Sequence, residues 1–334
     1  MPARKPHPKM TKLDFEVRMT ACDRPAMLRR ALHSLQAQSY PHWKAVVYDD
    51  SSTPDSRDVV EAIADERIVY QRNSRRLGAV RNVDQCVAPM PVFGGSYGCL
   101  LEDDNFWFPN FLMTVVEYLK QRDWFVIQTN QRLHVEGVGL RPANETTRSG
   151  WFPVGPVEPY ELRAALLFME GVSNSGLVWK LRSKTDLRIG GMVAEAGLNE
   201  YCRSLLIATP FLYIEEPQGA FTLTERSESA RAGDRDRAVN RGVQSLRDSL
   251  LRSHGEPLVR TADRIALRQC MASRLAESLA YCGRLRWAGA RARGRHRMVW
   301  RAFAKGLAIR LTEKDPCGEF LASGRIAQMP EARQ

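Results

Sequence analysis

The stretch 97-YGCLLEDDNFWFP-109 decides the fold. In it the apolar Cys99, Leu100 and Leu101 run into three consecutive acids, Glu102, Asp103 and Asp104. Asn105, Phe106 and Trp107 follow, and Pro109 closes the stretch. An apolar run bounded by turn formers predicts a strand buried on both faces of a parallel sheet. In open α/β sheets, ligands bind outside the carboxyl ends of strands. Carboxylates crowded there repel one another unless a cation lies between them. Hard divalent ions such as Mg²⁺ and Mn²⁺ take one or two carboxylates plus substrate phosphates. The stretch therefore reads as a metal–diphosphate site. Taken alone it also fits a solvated acidic turn before a helix beginning at Pro109, and the upstream sequence decides between the two.

Upstream, strand-like and helix-like segments alternate. Residues 15–19 are strand-like and end at Thr20. Ala21, Cys22, Asp23 and Arg24 break the strand, and Pro25 suits the first turn of a helix. Leu28, Ala31, Leu32 and Leu35 then recur at helical spacing. Residues 44–48, KAVVY, predict a second buried strand, which runs into Asp49, Asp50, Ser51 and Ser52. A helix through Val59, Val60 and Ile63 leads to a third strand at 68–70. Leu77 and Gly78 then introduce a helix carrying Arg81 and Asn82. This alternation predicts a Rossmann-like, mostly parallel sheet flanked by helices, with right-handed crossovers. The strand ends would converge on one crevice suited to a nucleotide. No GxGxxG follows the first strand, which argues against a dinucleotide site. No glycine-rich loop is present there to wrap a triphosphate.

These residues resemble the inverting glycosyltransferases of family 2, which have the GT-A fold. The resemblance rests on Thr20 with Arg24 and Pro25; on Gln38, Ser39, Tyr40 and Pro41; and on Asp49 to Ser52. It continues through Leu77, Gly78, Arg81 and Asn82, and through Asp103, Asp104 and Asn105 to Pro109. It covers 14–120 well and extends loosely to about 225. It implies that Thr20 and Asp50 contact the nucleoside and that Asp23 helps line the same pocket. It also implies that Asp103 meets the ribose and that Asp104 ligates the metal, Mn²⁺ or Mg²⁺, on the diphosphate. Arg81 carries over as a donor contact or stands as a surface helix arginine. Asp49 has a plain reading as a residue fixing its turn.

Further along, 125–129 predicts a strand, 132–159 loops over the site, and 160–169 a helix. The small residues of 171–179, GVSNSGLVW, resemble a family strand beneath the donor sugar, although a tight backbone crossing would use the same types. Residues 198–206 predict a helix with Glu200 near its start, where the family places a catalytic acid. Glu200 is the candidate base and Glu195 the reserve. The position before Glu200 is Asn199, so the acid pair often found in the family is incomplete. The competing reading of Glu200 is a carboxylate stabilising a helix N-terminus. Arg203 suits phosphate charge or a helix-spaced pair with Glu200. Residues 211–215 and 220–224 predict two closing strands.

The chain has 334 residues, enough for one large or two moderate domains, with 44% hydrophobic and 26% charged residues. The opening MPARKPHPKM is basic and lacks an apolar core, so no secretory signal is expected. No apolar run reaches the length of a membrane span. Seven scattered cysteines without a CxxC pair predict free thiols in a cytoplasmic setting. The net charge of +11 is concentrated in 226–311, which holds 20 basic against 7 acidic residues. There 226–236 predicts a loop. Leu267, Met271, Leu275 and Leu279 are expected on one helix face, and Trp300, Phe303, Leu307 and Leu311 on another, with both faces packed inward. Arg291, Arg293, Arg295 and Arg297 form a solvated basic face or a contact with anionic membrane or a phosphorylated acceptor. No motif supports nucleic acid.

The expected organisation is a polar leader at 1–13, a GT-A domain at 14–225, a basic helical extension at 226–311 and a tail at 312–334. The GT-A domain divides into a nucleotide-binding half at 14–120 and an acceptor half at 121–225. The expected activity is metal-dependent transfer from a nucleotide-diphosphate sugar, a UDP-sugar, to an acceptor hydroxyl. The expected setting is cytoplasmic, with peripheral contact to a membrane as one of the alternatives for the basic segment. The alternative is a non-catalytic GT-A-like protein that only positions the basic helices.

Overall fold

A computed structural model describes residues 14–148, 150, 152, 155–184, 186–224, 234–291 and 295–326. The expected leader at 1–13 lies outside the described residues, as does most of the expected loop at 226–236.

The N-terminal half alternates strand and helix as the pattern requires. Its elements are β1 (Phe15–Ala21), α1 (Pro25–Gln36), β2 (Trp43–Asp49), α2 (Asp55–Ile63), β3 (Ile68–Arg72), α3 (Ala79–Cys86) and β4 (Tyr97–Glu102). These strands pair in parallel in the order β3-β2-β1-β4. Next come β5 (Phe106–Trp107), α4 (Phe111–Gln121), β6 (Val126–Val135), β7 (Gly139–Leu140), β8 (Gly155–Val157), α5 (Pro159–Leu166), β9 (Leu177–Lys180), α6 (Asn199–Leu205) and β10 (Phe211–Leu223). They extend the sheet through β9, β6, β10 and β5, and here strands pair in both senses. The two closing strands expected at 211–224 are one strand, β10, whose register slips between Ile214 and Gly219.

Side-chain alternation along the strands sorts the core into two layers. Phe15, Val17, Met19 and Ala21 of β1 join α1 and α4 on one face. The other face of β1 carries Glu16, Arg18 and Thr20, all buried. Glu16 accepts the backbone N–H groups of Val92, Phe93 and Gly95 at 2.7–2.8 Å. Arg18 bonds Glu16 at 2.9 Å and donates to the carbonyls of Cys86, Ala88 and Met90. This buried pair satisfies the polar backbone of the loop leading into β4, a loop with no ladder of its own.

The C-terminal helices are α7 (Asp234–Arg268, broken at Gly255), α8 (Ala272–Tyr281), α9 (Leu285–Arg291), α10 (His296–Thr312) and α11 (Gly318–Ala322). Leu246, Leu250, Leu279 and Phe320 share one apolar cluster with Leu162, Leu198 and Leu205. The expected tail therefore packs as far as Phe320, which is fully buried.

Both expected helix faces need correction. Leu267 is exposed and Met271 caps the start of α8, so the Leu267-to-Leu279 series spans two helices. In α10 the buried face is Val299, Ala302, Gly306 and Ile309, whereas Trp300, Leu307 and Leu311 point outward. The inward face is set by a close crossing. A Cβ at Gly306 would lie 2.0 Å from the Tyr281 carbonyl oxygen.

Candidate active site

Parallel register brings the key residues to one level. Thr20 pairs with Tyr48 on one side and Glu102 on the other, and Ala21 pairs with Asp49. At these carboxyl ends opens a cavity of about 340 Å³, with Thr20, Arg24, Asp50, Asn82, Glu102 and Asp103 among its walls.

Asp50 is an anchor as well as a wall. Its Oδ1 accepts Leu77 N at 2.7 Å and Asn73 Nδ2 at 3.0 Å, and its Oδ2 accepts Gly78 N at 2.8 Å. The carboxylate thereby shapes the turn before α3, where Gly78 at φ +81° adopts a conformation few other residues tolerate. Asp49 serves its own turn, accepting Ser51 N and the Tyr70 hydroxyl. Asp23 lies at the rim with φ +53°, accepting Ser52 N and Oγ through Oδ1, with Arg76 3.3 Å from Oδ2. Arg81 is exposed on α3 and lies against Gly191. Its neighbour Asn82 faces the cavity and donates to Tyr48 O.

The acids after β4 are bridged by a residue that sequence reading assigned no role. The Arg24 guanidinium spans both carboxylates, bonding Asp103 through Nη2 at 2.5 Å and through Nε at 3.3 Å, and Asp104 through Nη1. Asp103 also accepts Cys22 N at 3.0 Å. Burial opposes the Arg24 charge, yet the two carboxylates outweigh it and hold the guanidinium above its ordinary pKa. Burial pushes the Asp103 carboxyl upward; Arg24 opposes this and the Asp104 charge adds to it. A cationic group thus already sits between Asp103 and Asp104. Among the described residues no three Asp, Glu, His or Cys side chains converge as a self-sufficient metal site. A hard ion on Asp104 would therefore have to displace the Arg24 guanidinium and draw its other oxygens from diphosphate and water.

Glu102 is the second residue that sequence reading left without a role. Its Oε2 accepts Ser175 Oγ at 2.7 Å and Asn105 Nδ2 at 3.3 Å. Burial, reinforced by the charges of Asp104 and Glu200, pushes its carboxyl up. No spacing rule distinguishes it from its two acidic neighbours, and only the pleat turns it toward Ser175.

The 173–175 segment separates Glu102 from Glu200. Residues 171–176 are not a strand: Asn174–Gly176 form a 3₁₀ turn before β9. The small residues serve close crossings. A Cβ at Gly171 would lie 2.4 Å from the Glu200 carbonyl oxygen, and one at Gly176 2.4 Å from the Thr129 carbonyl oxygen. Glu200, the second residue of α6, accepts Asn174 N on Oε1 at 2.7 Å and Arg148 Nη2 on Oε2 at 3.0 Å. Burial raises its pKa, opposed by Arg148 and by the Asn174 N–H. Arg203 does not pair with Glu200. It is fully buried and donates to Asn199 Oδ1, Asn174 Oδ1 and Leu187 O, with Asp84 3.5 Å away. Glu195 caps a separate 3₁₀ turn, Ala196–Leu198, and is half-buried.

Residues 17–164 match the family model described as glycosyl transferase family 2. WcaA of Escherichia coli (strain K12), named for colanic acid biosynthesis, is 26% identical over 177 residues, 52% of this chain and 59% of that protein. TuaG of Bacillus subtilis (strain 168), named for teichuronic acid biosynthesis, is 30% identical over 95 residues, 27% of this chain and 36% of that protein. The chain thus spans about three fifths of the first of these relatives and about a third of the second. Among solved structures, S. aureus TarS 1-349 in complex with UDP-GlcNAc superposes with TM-score 0.53 at 14% identity, over 88% of this chain and 92% of that one. Mannosyltransferase PcManGT from Pyrobaculum calidifontis, in complex with GDP-Man and Mn2+, gives 0.51 at 14% identity, over 92% of each chain. At such identities the superpositions speak for the fold alone. With the parallel half-sheet, the acids closing its strands and the matched family model together, residues 17–164 are a glycosyl transferase family 2 domain, on a GT-A fold.

Proposed function

We propose that the chain transfers a sugar, with inversion, from a nucleotide-diphosphate sugar to an acceptor hydroxyl on a glycan, lipid-linked intermediate or secondary metabolite. The observation that carries this reading is the cavity at the ends of β1, β2 and β4, with the Asp103–Asp104 pair on one side and Glu200 behind the 173–175 segment. Thr20, Asp23 and Asp50 hold the nucleoside and Asp103 the ribose, whereas Arg81 lies against Gly191 and would have to swing from there to reach the donor. Asp104 would hold Mn²⁺ or Mg²⁺ in place of Arg24, and the ion would supply neutralisation of the leaving diphosphate. Solved structures of the same fold hold UDP, UDP-GlcNAc, or GDP-Man with Mn2+, and a UDP-sugar is the donor we favour. WfaP of Escherichia coli, 25% identical over 99 residues, is named as a UDP-Glc:alpha-D-GlcNAc-diphosphoundecaprenol glucosyltransferase, which supports a lipid-linked acceptor.

Glu200 takes the acceptor proton as the hydroxyl attacks the anomeric carbon opposite the diphosphate. Its carboxylate offers about four lone-pair positions. Arg148 and the Asn174 N–H use two of them, which leaves room for the incoming proton. Residues 14–225 form the catalytic unit and 226–311 its helical extension. Among the described residues no helix is long and apolar enough to cross a membrane. We place the protein in the cytoplasm.

The test is a panel of nucleotide sugars in thermal-shift assays with and without Mn²⁺, followed by transfer or donor hydrolysis with the best binder. Selective Mn²⁺-dependent stabilisation is expected, because a ligand that binds only the folded state raises the apparent melting temperature. Binding without transfer or hydrolysis would favour the non-catalytic alternative.

A further inference from the structure

The outer face of α10 has no covering element among the described residues. Trp300 is 59% exposed, Leu307 45% and Leu311 77%. Phe303 meets Trp300 edge-on at 5.9 Å and is half-buried. These four residues fall at steps of three or four and form one stripe. The stripe cannot roll inward. Gly306 is seated against the Tyr281 backbone on the opposite side, and Gln244 Nε2 bonds the carbonyls of both residues at 2.8–2.9 Å.

Charge chooses the occupant. The 17 residues of α10 contain no Asp or Glu. Arg297, Arg301 and Lys305 are exposed along one flank of the stripe, and no carboxylate pairs with them among the described residues. The next acids on the chain are engaged elsewhere: Glu313 with Arg237 and Asp315 with Ser245. On the other flank Arg310 is taken by Asp248. A second copy of the chain docked on this face would bring like charges together. An apolar stripe with an aromatic anchor beside a cationic row matches the interface of an anionic bilayer.

We propose that α10 is a peripheral membrane anchor lying in the plane of an anionic lipid surface, with Trp300, Phe303, Leu307 and Leu311 entering the headgroup boundary. It deepens the transfer reading above, since a lipid-linked acceptor would be met at that surface. Its physical basis is independent of the active site.

Flotation of the full chain with vesicles of phosphatidylcholine containing about a quarter phosphatidylglycerol, without donor or acceptor, tests it. The wild-type chain should float at low salt and bind pure phosphatidylcholine at least about tenfold more weakly. Each basic residue at an anionic surface strengthens partitioning about fivefold, so the triple substitution R297E/R301E/K305E should weaken it by about a hundredfold or more. L307E/L311E should abolish flotation while leaving the melting temperature unchanged, because both side chains are exposed. Brominated lipid should quench the wild-type chain more than W300F.

No flotation at low salt would overturn the proposal, as would wild-type flotation by either multiple variant. A large drop in melting temperature for L307E/L311E would show that the face is packed, and would also overturn it. So would a concentration-dependent dimer that L307E/L311E dissolves, because the face would then join copies of the chain. Because donor and acceptor are absent, failure here leaves the transfer reading standing, and failure of transfer leaves this one standing.

Discussion

Glu200→Gln separates a base from a structural carboxylate. Gln can keep its Oε1 on Asn174 N, but its amide presents N–H toward Arg148, whose guanidinium is 3.0 Å from Oε2 and whose side chain is only 5% exposed. Stripping the partner from a fully buried charge costs about 3–5 kcal/mol. Here the Glu200 side chain is 27% exposed, and Glu170 lies 3.8 Å from Arg148 Nη1 as a partial substitute. A loss of about 1–3 kcal/mol in stability is therefore expected. Transfer should fall by on the order of a hundredfold or more, because the amide cannot accept a proton at neutral pH. Donor affinity with Mn²⁺, followed by calorimetry, should stay within a few fold, since Glu200 lies across the 173–175 segment from the Asp103–Asp104 pair. Burial raises the Glu200 pKa and a base must be ionised to act. The acid limb of the wild-type pH profile should therefore lie above the ordinary glutamate range and vanish in the variant. Transfer within a few fold of wild type, at the expected stability loss, would refute the reasoning. Glu200 would then be only an anchor for Arg148, and Glu195 the residue to test.

Asp104→Ala should abolish Mn²⁺-dependent UDP binding in calorimetry, and wild-type affinity would reduce the acidic turn to structure. Glu16→Gln should destabilise the chain by about 3–5 kcal/mol at neutral pH, because Arg18 stays buried without a carboxylate and at least one backbone N–H loses its acceptor. Burial would raise the Glu16 pKa, but hydrogen bonds from Val92, Arg18, Gly95 and Phe93 outweigh it and hold it low. The carboxylate's stabilisation is therefore present above the ordinary value of 4.5 and lost as pH falls through the lowered folded value, so denaturant titrations should show the two proteins converging there. Gly171→Ala should cost about 1–3 kcal/mol and slow transfer with donor affinity preserved, because a Cβ 2.4 Å from the Glu200 carbonyl must shift α6. Unchanged melting and unchanged turnover would show that this crossing is loose.

The parallel half-sheet was legible because its signals are local. A buried strand needs an unbroken apolar run, and a strand-end carboxylate must stand beside it in sequence, as Asp50 and Asp103 do. The helix carrying Glu200 was legible for the same reason. Arg24 and Glu102 were not, since what each touches depends on strands far apart in the chain. Helical spacing likewise gave the stripe of Trp300, Phe303, Leu307 and Leu311 but not its direction. An amphipathic pattern says that two faces differ, and which face turns inward is a matter of contact.

By itself the sequence determined the alternation of strands and helices in the N-terminal half, the acids at the strand ends and the excess of positive charge after 226, all set by neighbours along the chain. Only the tertiary structure decided that Arg24 spans Asp103 and Asp104, that Arg148 and Asn174 hold Glu200, and that α10 turns its aromatic stripe to solvent. Each of these depends on residues distant in sequence, and at α10 the decision rests on one glycine having no Cβ where the Tyr281 carbonyl must pass.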